Sequence, residues 1–246
     1  MVLLHPEVAM QMQKSELTEL LKQCVLTDAA TVSYMQSQGI ELGFVTRKMN
    51  GQESVHYREI YTDHPVNQYP KRSFKTGFFT DGYGGYEFIE KYPTDGEVIG
   101  RYSRDGEMCE VSDIIFTTES GGRWAVIGYG LWKSNIPSVQ RNRILDIIDY
   151  LKGNTLPARI LNPIQALVIP RVSKKTKKTV SVTIVNCTIE QQENVEVRIR
   201  KPQSELLVVH SQEQTKESRA FRREGNDVIV TIPQIRPWGI VTVEAV

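Results

Sequence analysis

A chain of 246 residues has room for two ordinary domains, and 40% apolar with 24% charged residues describes a globular protein rather than a disordered or fibrous one. Thirty Lys and Arg against 29 Asp and Glu leave a formal charge of +1, so the overall field gives no reason to expect nucleic acid or membrane as a partner. Cys24, Cys109 and Cys187 are odd in number and lack CxxC spacing, which argues against a disulfide framework and a zinc site.

In chain order, Met1 to Glu7 lacks a charged n-region and a long apolar core, so neither a signal peptide nor a membrane anchor is predicted. Pro6 to Gln23 reads as a helix, with proline at its first turn and Val8, Met12, Leu17, Leu20 and Leu21 as an apolar stripe. Asp28 fits the N-cap of a second helix, Ala29 to Gln38, which Gly39 ends. Ile40 to Val45 reads as a strand. Residues 46–112 carry turn pairs at Asn50-Gly51, Asp81-Gly82, Gly84-Gly85, Asp95-Gly96 and Asp105-Gly106, which predicts a meander of short strands. Gly121-Gly122 then feeds the apolar run Trp124 to Ile127, and a helix is predicted over Ser138–Leu151.

The rhythm changes near residue 156. Seven segments (164–170, 179–187, 194–200, 205–210, 217–222, 227–233 and 239–245) alternate with a period of two at β-sandwich spacing. Val180, Val182 and Ile184 are expected in the sandwich core, with Trp238. Between the first two strands, Arg171, Lys174, Lys175, Lys177 and Lys178 form a basic run that reads as a solvated hairpin loop. Asn186-Cys187-Thr188 matches a glycosylation acceptor and reads as chance.

No Gly-x-Ser-x-Gly or Gly-x-Cys-x-Gly turn is present to present a nucleophile. The four histidines, His5, His56, His64 and His210, have no metal-binding spacing. His64, between Asp63 and Pro65, is the one placed for chemistry, with Asp63 able to orient it, although a structural turn is the plainer reading. Glu87, Glu90, Asp95 and Asp105 supply carboxylates for glycoside hydrolysis, which needs two facing one another. Tyr83 and Tyr86 are expected on glycine turns, where tyrosines either pack the meander onto the α/β layer or stack on sugar rings or fill an interface.

Several stretches together resemble β-galactosidase-like glycoside hydrolases. Val25-Leu26-Thr27-Asp28-Ala29-Ala30-Thr31 followed by Gln38-Gly39-Ile40-Glu41-Leu42-Gly43 is similar to a pattern in their amidotransferase-like domain, as is Asp63-His64-Pro65-Val66-Asn67. Gly121 to Tyr129 resembles a strand of the same domain, and Pro233 to Ile240 resembles the close of their C-terminal sandwich. The resemblance implies an α/β plus all-β chain: an incomplete flavodoxin-like (amidotransferase-like) domain over 1–155, with a β-rich insertion at 46–112, then an antiparallel immunoglobulin-like β-sandwich over 156–246. The family's catalytic acids lie on a barrel for which this chain has no room, so no catalytic residue carries over.

The expected function is therefore a non-catalytic accessory and assembly module of a carbohydrate-active protein. No cofactor or metal is implied. Its expected partner is an upstream catalytic barrel of the same parent polypeptide, or a second copy docking through Met12, Leu17 and Leu21 of the first helix. The alternatives are oligosaccharide binding by Tyr83 and Tyr86, and a small hydrolase using His64 and Asp63.

Overall fold

Strands take up 49% of the computed structural model and helices 18%, so sheets set the architecture. The structure describes residues 1–49, 57–67, 76–79, 87–131, 138–162, 164–204, 206–211, 217–218 and 221–246. Two units divide the chain, Met1–Asn154 and Thr155–Val246.

In the first unit β1 (Val2–Leu4), β2 (Val25–Asp28) and β9 (Arg123–Ile127) run parallel, with Leu26 beside both Leu3 and Ala125. All of β2 is buried, and β9 is buried from Trp124 onward. Unbroken apolar runs suit strands covered on both faces. Beyond β9 the sheet becomes antiparallel through β8 (Glu107–Thr117), β7 (Glu97–Arg104), β4 (Tyr57–Tyr61) and β5 (Thr76–Phe79). A side branch places β6 (Glu87–Lys91) on β8 and β3 (Val45–Lys48) on β6.

A flavodoxin-like sheet is parallel throughout. Here the parallel part among the described residues is confined to β1, β2 and β9, within one curled, mixed sheet. Turn chemistry supplies the reason. Asp105 and Gly106 both take positive φ, 53° and 87°, which closes a two-residue hairpin and sets β7 and β8 antiparallel instead of leading into a crossover helix.

The helix predicted over Pro6–Gln23 is two helices, α1 (Pro6–Ala9) and α2 (Lys14–Leu20). The Gln13 backbone amide donates to the Glu16 carboxylate at 2.7 Å, which starts α2 afresh. Asp28 caps α3 (Ala29–Ser37) as expected, its Oδ1 accepting from the Thr31 amide at 2.9 Å. Ile40 to Phe44 is irregular rather than a strand: Ile40, Leu42 and Phe44 bury side chains, and β3 starts only at Val45. The last helix, α4 (Ser138–Leu151), has the predicted bounds. One core joins Leu17, Val32, Met35, Phe116 and Trp124, and another joins Phe88, Tyr102, Ile127, Ile147 and Leu151.

The second unit packs two antiparallel sheets. One orders β10 (Ala158–Ile160), β13 (Gln192–Arg200), β17 (Asp227–Ile235) and β16 (Phe221–Glu224). The other orders β11 (Ala166–Val172), β12 (Thr179–Asn186), β18 (Ile240–Ala245), β14 (Leu207–Ser211) and β15 (Glu217–Ser218). Val182, Ile184 and Val243 of one sheet share a core with Val197, Ile199 and Val230 of the other. Each such side chain contributes about 1.5–3 kcal/mol on full burial.

Two details differ from expectation. Val180 shares the face of Val182 and Ile184 but is only half-buried. Trp238 is 62% exposed with φ 55°, outside the core. The Gly239 amide donates to the Arg236 carbonyl at 2.9 Å, so Pro237 and Trp238 form the crest of a turn that carries the chain out before β18. Asn186 of the glycosylation triplet is buried and donates to the carbonyls of Glu190 and Arg236, both at 2.8 Å, so it cannot accept a glycan in the folded chain. Among the described residues no helix is long and apolar enough to cross a membrane.

Candidate functional site

Strand β4 brings Glu59 and Tyr61, strand β8 brings Ser112 and Asp113, and helix α4 brings Arg143 to one buried point. Arg143 makes the joint. Its Nη2 donates to Asp113 Oδ2 at 3.2 Å and to the Ile99 carbonyl at 2.9 Å, its Nη1 donates to Asn67 Oδ1, and its guanidinium lies 4.4 Å from the Tyr61 ring centre. Room for this is made at Gly100, where a Cβ would come within 2.6 Å of Ser112 Oγ and 2.9 Å of Asp113 Oδ2.

Among the described residues no cation bonds to Glu59. Ser112 Oγ donates to its Oε1 at 3.2 Å. The other Glu59 oxygen, Asp113 Oδ1 and the Tyr61 hydroxyl stand close together, none of them in a well-formed hydrogen bond. Burial, and then the Asp113 charge, push the Glu59 carboxyl well above its ordinary 4.5. Burial likewise raises the Tyr61 and Tyr129 hydroxyls. For Arg143, burial works against the cation, but Asp113, Tyr61, Glu59 and Tyr129 together outweigh it and its pKa rises. The centre therefore sets the Arg143–Asp113 ion pair beside a carboxyl whose protonated form burial favours.

This protonation has a stability consequence. A carboxyl whose folded pKa exceeds its unfolded one contributes stability that is complete below about 4.5 and is lost as pH rises through the folded value. Glu59→Gln keeps the shape and removes the titration. Its thermal midpoint should vary less with pH above 4.5, and the variant should gain on wild type as pH rises. Parallel midpoints for the two proteins across that range would refute the assignment.

The Asp-His-Pro-Val-Asn turn borders this centre and is structural in every hydrogen bond it shows. His64 Nδ1 accepts from the Val66 amide at 3.1 Å, which leaves the proton on Nε2 to donate to Glu97 Oε2 at 2.6 Å. The acid bonded to the ring is thus Glu97 of β7, and Asp63 sits exposed at the surface. With both nitrogens engaged, His64 has no lone pair to take a proton from a substrate. The Asn67 amide donates to the carbonyls of Thr62 at 2.7 Å and Ile99 at 2.9 Å. Sequence reasoning singled out this motif but not its true partners, which lie on β7 and α4.

The remaining acidic candidates do not converge. Glu90 pairs with Arg47 at 3.0 Å, and Asp105 sits in its hairpin turn beside Arg104. Asp95 joins Glu41 and Glu119 at an open cleft of about 460 Å³ over Leu42, Pro93 and Phe116. Glu87 is 5% exposed, and burial raises its carboxyl, as it does that of Asp28 at the carboxyl end of β2. Tyr83 and Tyr86 lie outside the described residues. Of the expected docking residues, Leu17 is core at 1% exposure, and Met12 and Leu21 pack half-buried on the same cluster. The apolar side chains that this stretch exposes are Val8 and Met10. Among the described residues no group of three His, Cys, Asp or Glu side chains could hold a metal ion.

No protein-family model matches the sequence, and no curated protein does. Solved structures do. α-L-Fucosidase isoenzyme 2 from Paenibacillus thiaminolyticus aligns over 91% of this chain and 37% of its own, at 14% identity and a TM-score of 0.51. A β-galactosidase from Bacillus circulans sp. alkalophilus aligns over 99% and 32%, at 11% identity and TM-score 0.44, and one from Rahnella sp. R3 over 95% and 30%, at 6% and 0.45. The chain shares its fold with part of the fucosidase. It spans about a third of the length of these enzymes.

Proposed function

We propose that the chain is a non-catalytic accessory and assembly module of a glycoside-hydrolase-related, carbohydrate-active protein. The observation that carries this reading is the buried centre: Glu59, Asp113, Arg143 and the histidine of the Asp-His-Pro motif are engaged in holding β4, β7, β8 and α4 together. The shared fold supports it, because the likeness covers nearly all of this chain but a minor share of the fucosidase. The three parallel strands with α3 are, in this reading, what is left of an amidotransferase-like domain. The partner is a catalytic barrel of the same parent polypeptide or a second copy of the chain, met through the exposed Val8 and Met10 side of α1.

Titration calorimetry with neutral oligosaccharides separates this from the alternative of a sugar-binding module that uses Tyr83 and Tyr86. The assembly reading expects no heat. Saturable heat that Tyr83→Ala and Tyr86→Ala abolish would replace it with the binding reading. Light scattering tests self-association: Val8→Glu with Met10→Glu should dissociate any wild-type oligomer while leaving the chain folded, since both side chains are already solvent-exposed.

A further inference from the structure

The β11–β12 hairpin concentrates Arg171, Lys174, Lys175, Lys177 and Lys178 within eight residues, all of them exposed. Lys201 joins them, because its carbonyl accepts from the Thr179 amide at 3.0 Å beside the hairpin. Among the described residues none of these six enters an ion pair; Lys14, Lys48, Lys91 and Lys152 enter none either, but only here do six such cations stand together.

The hairpin is also held rigid. Ser173 donates its amide to the Lys178 carbonyl at 2.9 Å and accepts from the Lys177 amide at 2.9 Å. Ser173 Oγ accepts from the Thr176 amide at 3.1 Å, and Thr176 Oγ1 accepts from the Lys178 amide at 3.4 Å. Backbone amides and two hydroxyls thus close the loop, so the lysine side chains contribute nothing to closing it. They do add cost. Like charges repel, and Lys177 and Lys201 occupy left-handed conformations, φ 59° and 43°, that Gly or Asn adopts more cheaply. Closing the hairpin does not require this arrangement, and an external anion would offset its repulsion.

We propose that this end of the sandwich is a binding surface for a linear anionic polysaccharide, an inference that rests on the carbohydrate-active reading above. The patch contains no aromatic residue on which a nucleobase would stack. The apolar side chains that the hairpin exposes, Leu167, Ile169 and Val172, lie along β11, and its tip, residues 173–178, has none to lead into a bilayer. Five of the six cations are lysines, point charges that read field strength, whereas arginine forks dominate geometric phosphate recognition. The hydroxyls and carboxylates or sulfates of an acidic glycan suit such a surface.

The test uses the full chain with dextran sulfate and polygalacturonate as probes, uncharged dextran as control, and duplex DNA and phosphatidylserine vesicles as competing classes. Binding to at least one acidic glycan should weaken steeply with salt. Its dissociation constant should rise roughly tenfold or more in the Lys174→Gln, Lys175→Gln, Lys177→Gln, Lys178→Gln variant, with an unchanged thermal midpoint. Absence of binding at low salt, equal binding by the variant, or tighter binding of DNA or vesicles would each overturn the proposal. None of these outcomes bears on neutral oligosaccharides or on turnover, so the underlying functional reading stands or falls separately.

Discussion

Arg143→Met should lower the unfolding free energy of the N-terminal unit by about 3–5 kcal/mol, the cost of removing one partner from a buried ion pair. Arg143 is 2% exposed and ties four elements to one another: α4 to Asp113 on β8, to the Ile99 carbonyl on β7, and to the turn carrying Asn67. Methionine fills much of the volume but leaves the Asp113 carboxyl, at 0% exposure, without its cation. Asp113→Asn in the Arg143→Met background removes that orphan carboxyl and should recover part of the loss. Urea denaturation of the three proteins measures both steps. A loss below about 1 kcal/mol in the single variant would mean that the centre is hydrated and loosely held.

Trp124→Ala should cost a similar amount, about 3–5 kcal/mol, through a different mechanism. Trp124 is fully buried in β9, its Nε1 donates to the Leu20 carbonyl at 3.3 Å, and its ring centre lies 6.3 Å from that of Phe116. Alanine opens a cavity between the sheet and α2 and leaves the Leu20 carbonyl without this donor. Trp124→Phe retains most of the packing and should lose markedly less. Equal losses in the two variants would place the energy in the hydrogen bond rather than in the packing.

These two residues mark how far sequence reading reaches. Trp124 lies in an apolar run after a Gly-Gly turn, and such runs are legible because burial on both faces removes alternation. The period of two in β12, β13 and β17, the bounds of α4 and the Asp28 cap were legible for the same reason: each depends on residues near in sequence. Arg143 was not. Its partners stand at Asn67, Ile99 and Asp113, and the register that unites them depends on hairpin pairing across the whole sheet. Glu97 as the partner of His64 was hidden in the same way, while the adjacent Asp63 attracted attention by proximity alone. The flavodoxin-like expectation extended from three parallel strands to a sheet whose other pairings are antiparallel. Trp238 looked like core because it is apolar and near a strand, yet a four-residue turn lifts it into solvent.

The central claim of the proposed function is that the buried, paired side chains of this centre hold the fold and do not turn over substrate. Incubating the purified chain with aryl α-L-fucosides and aryl β-D-galactosides, and reading release of the aryl group, tests it most directly. The account predicts no release above buffer from wild type, and none from Glu59→Gln or His64→Ala. Release well above buffer by wild type that either substitution abolishes, in a variant that remains folded, would contradict it.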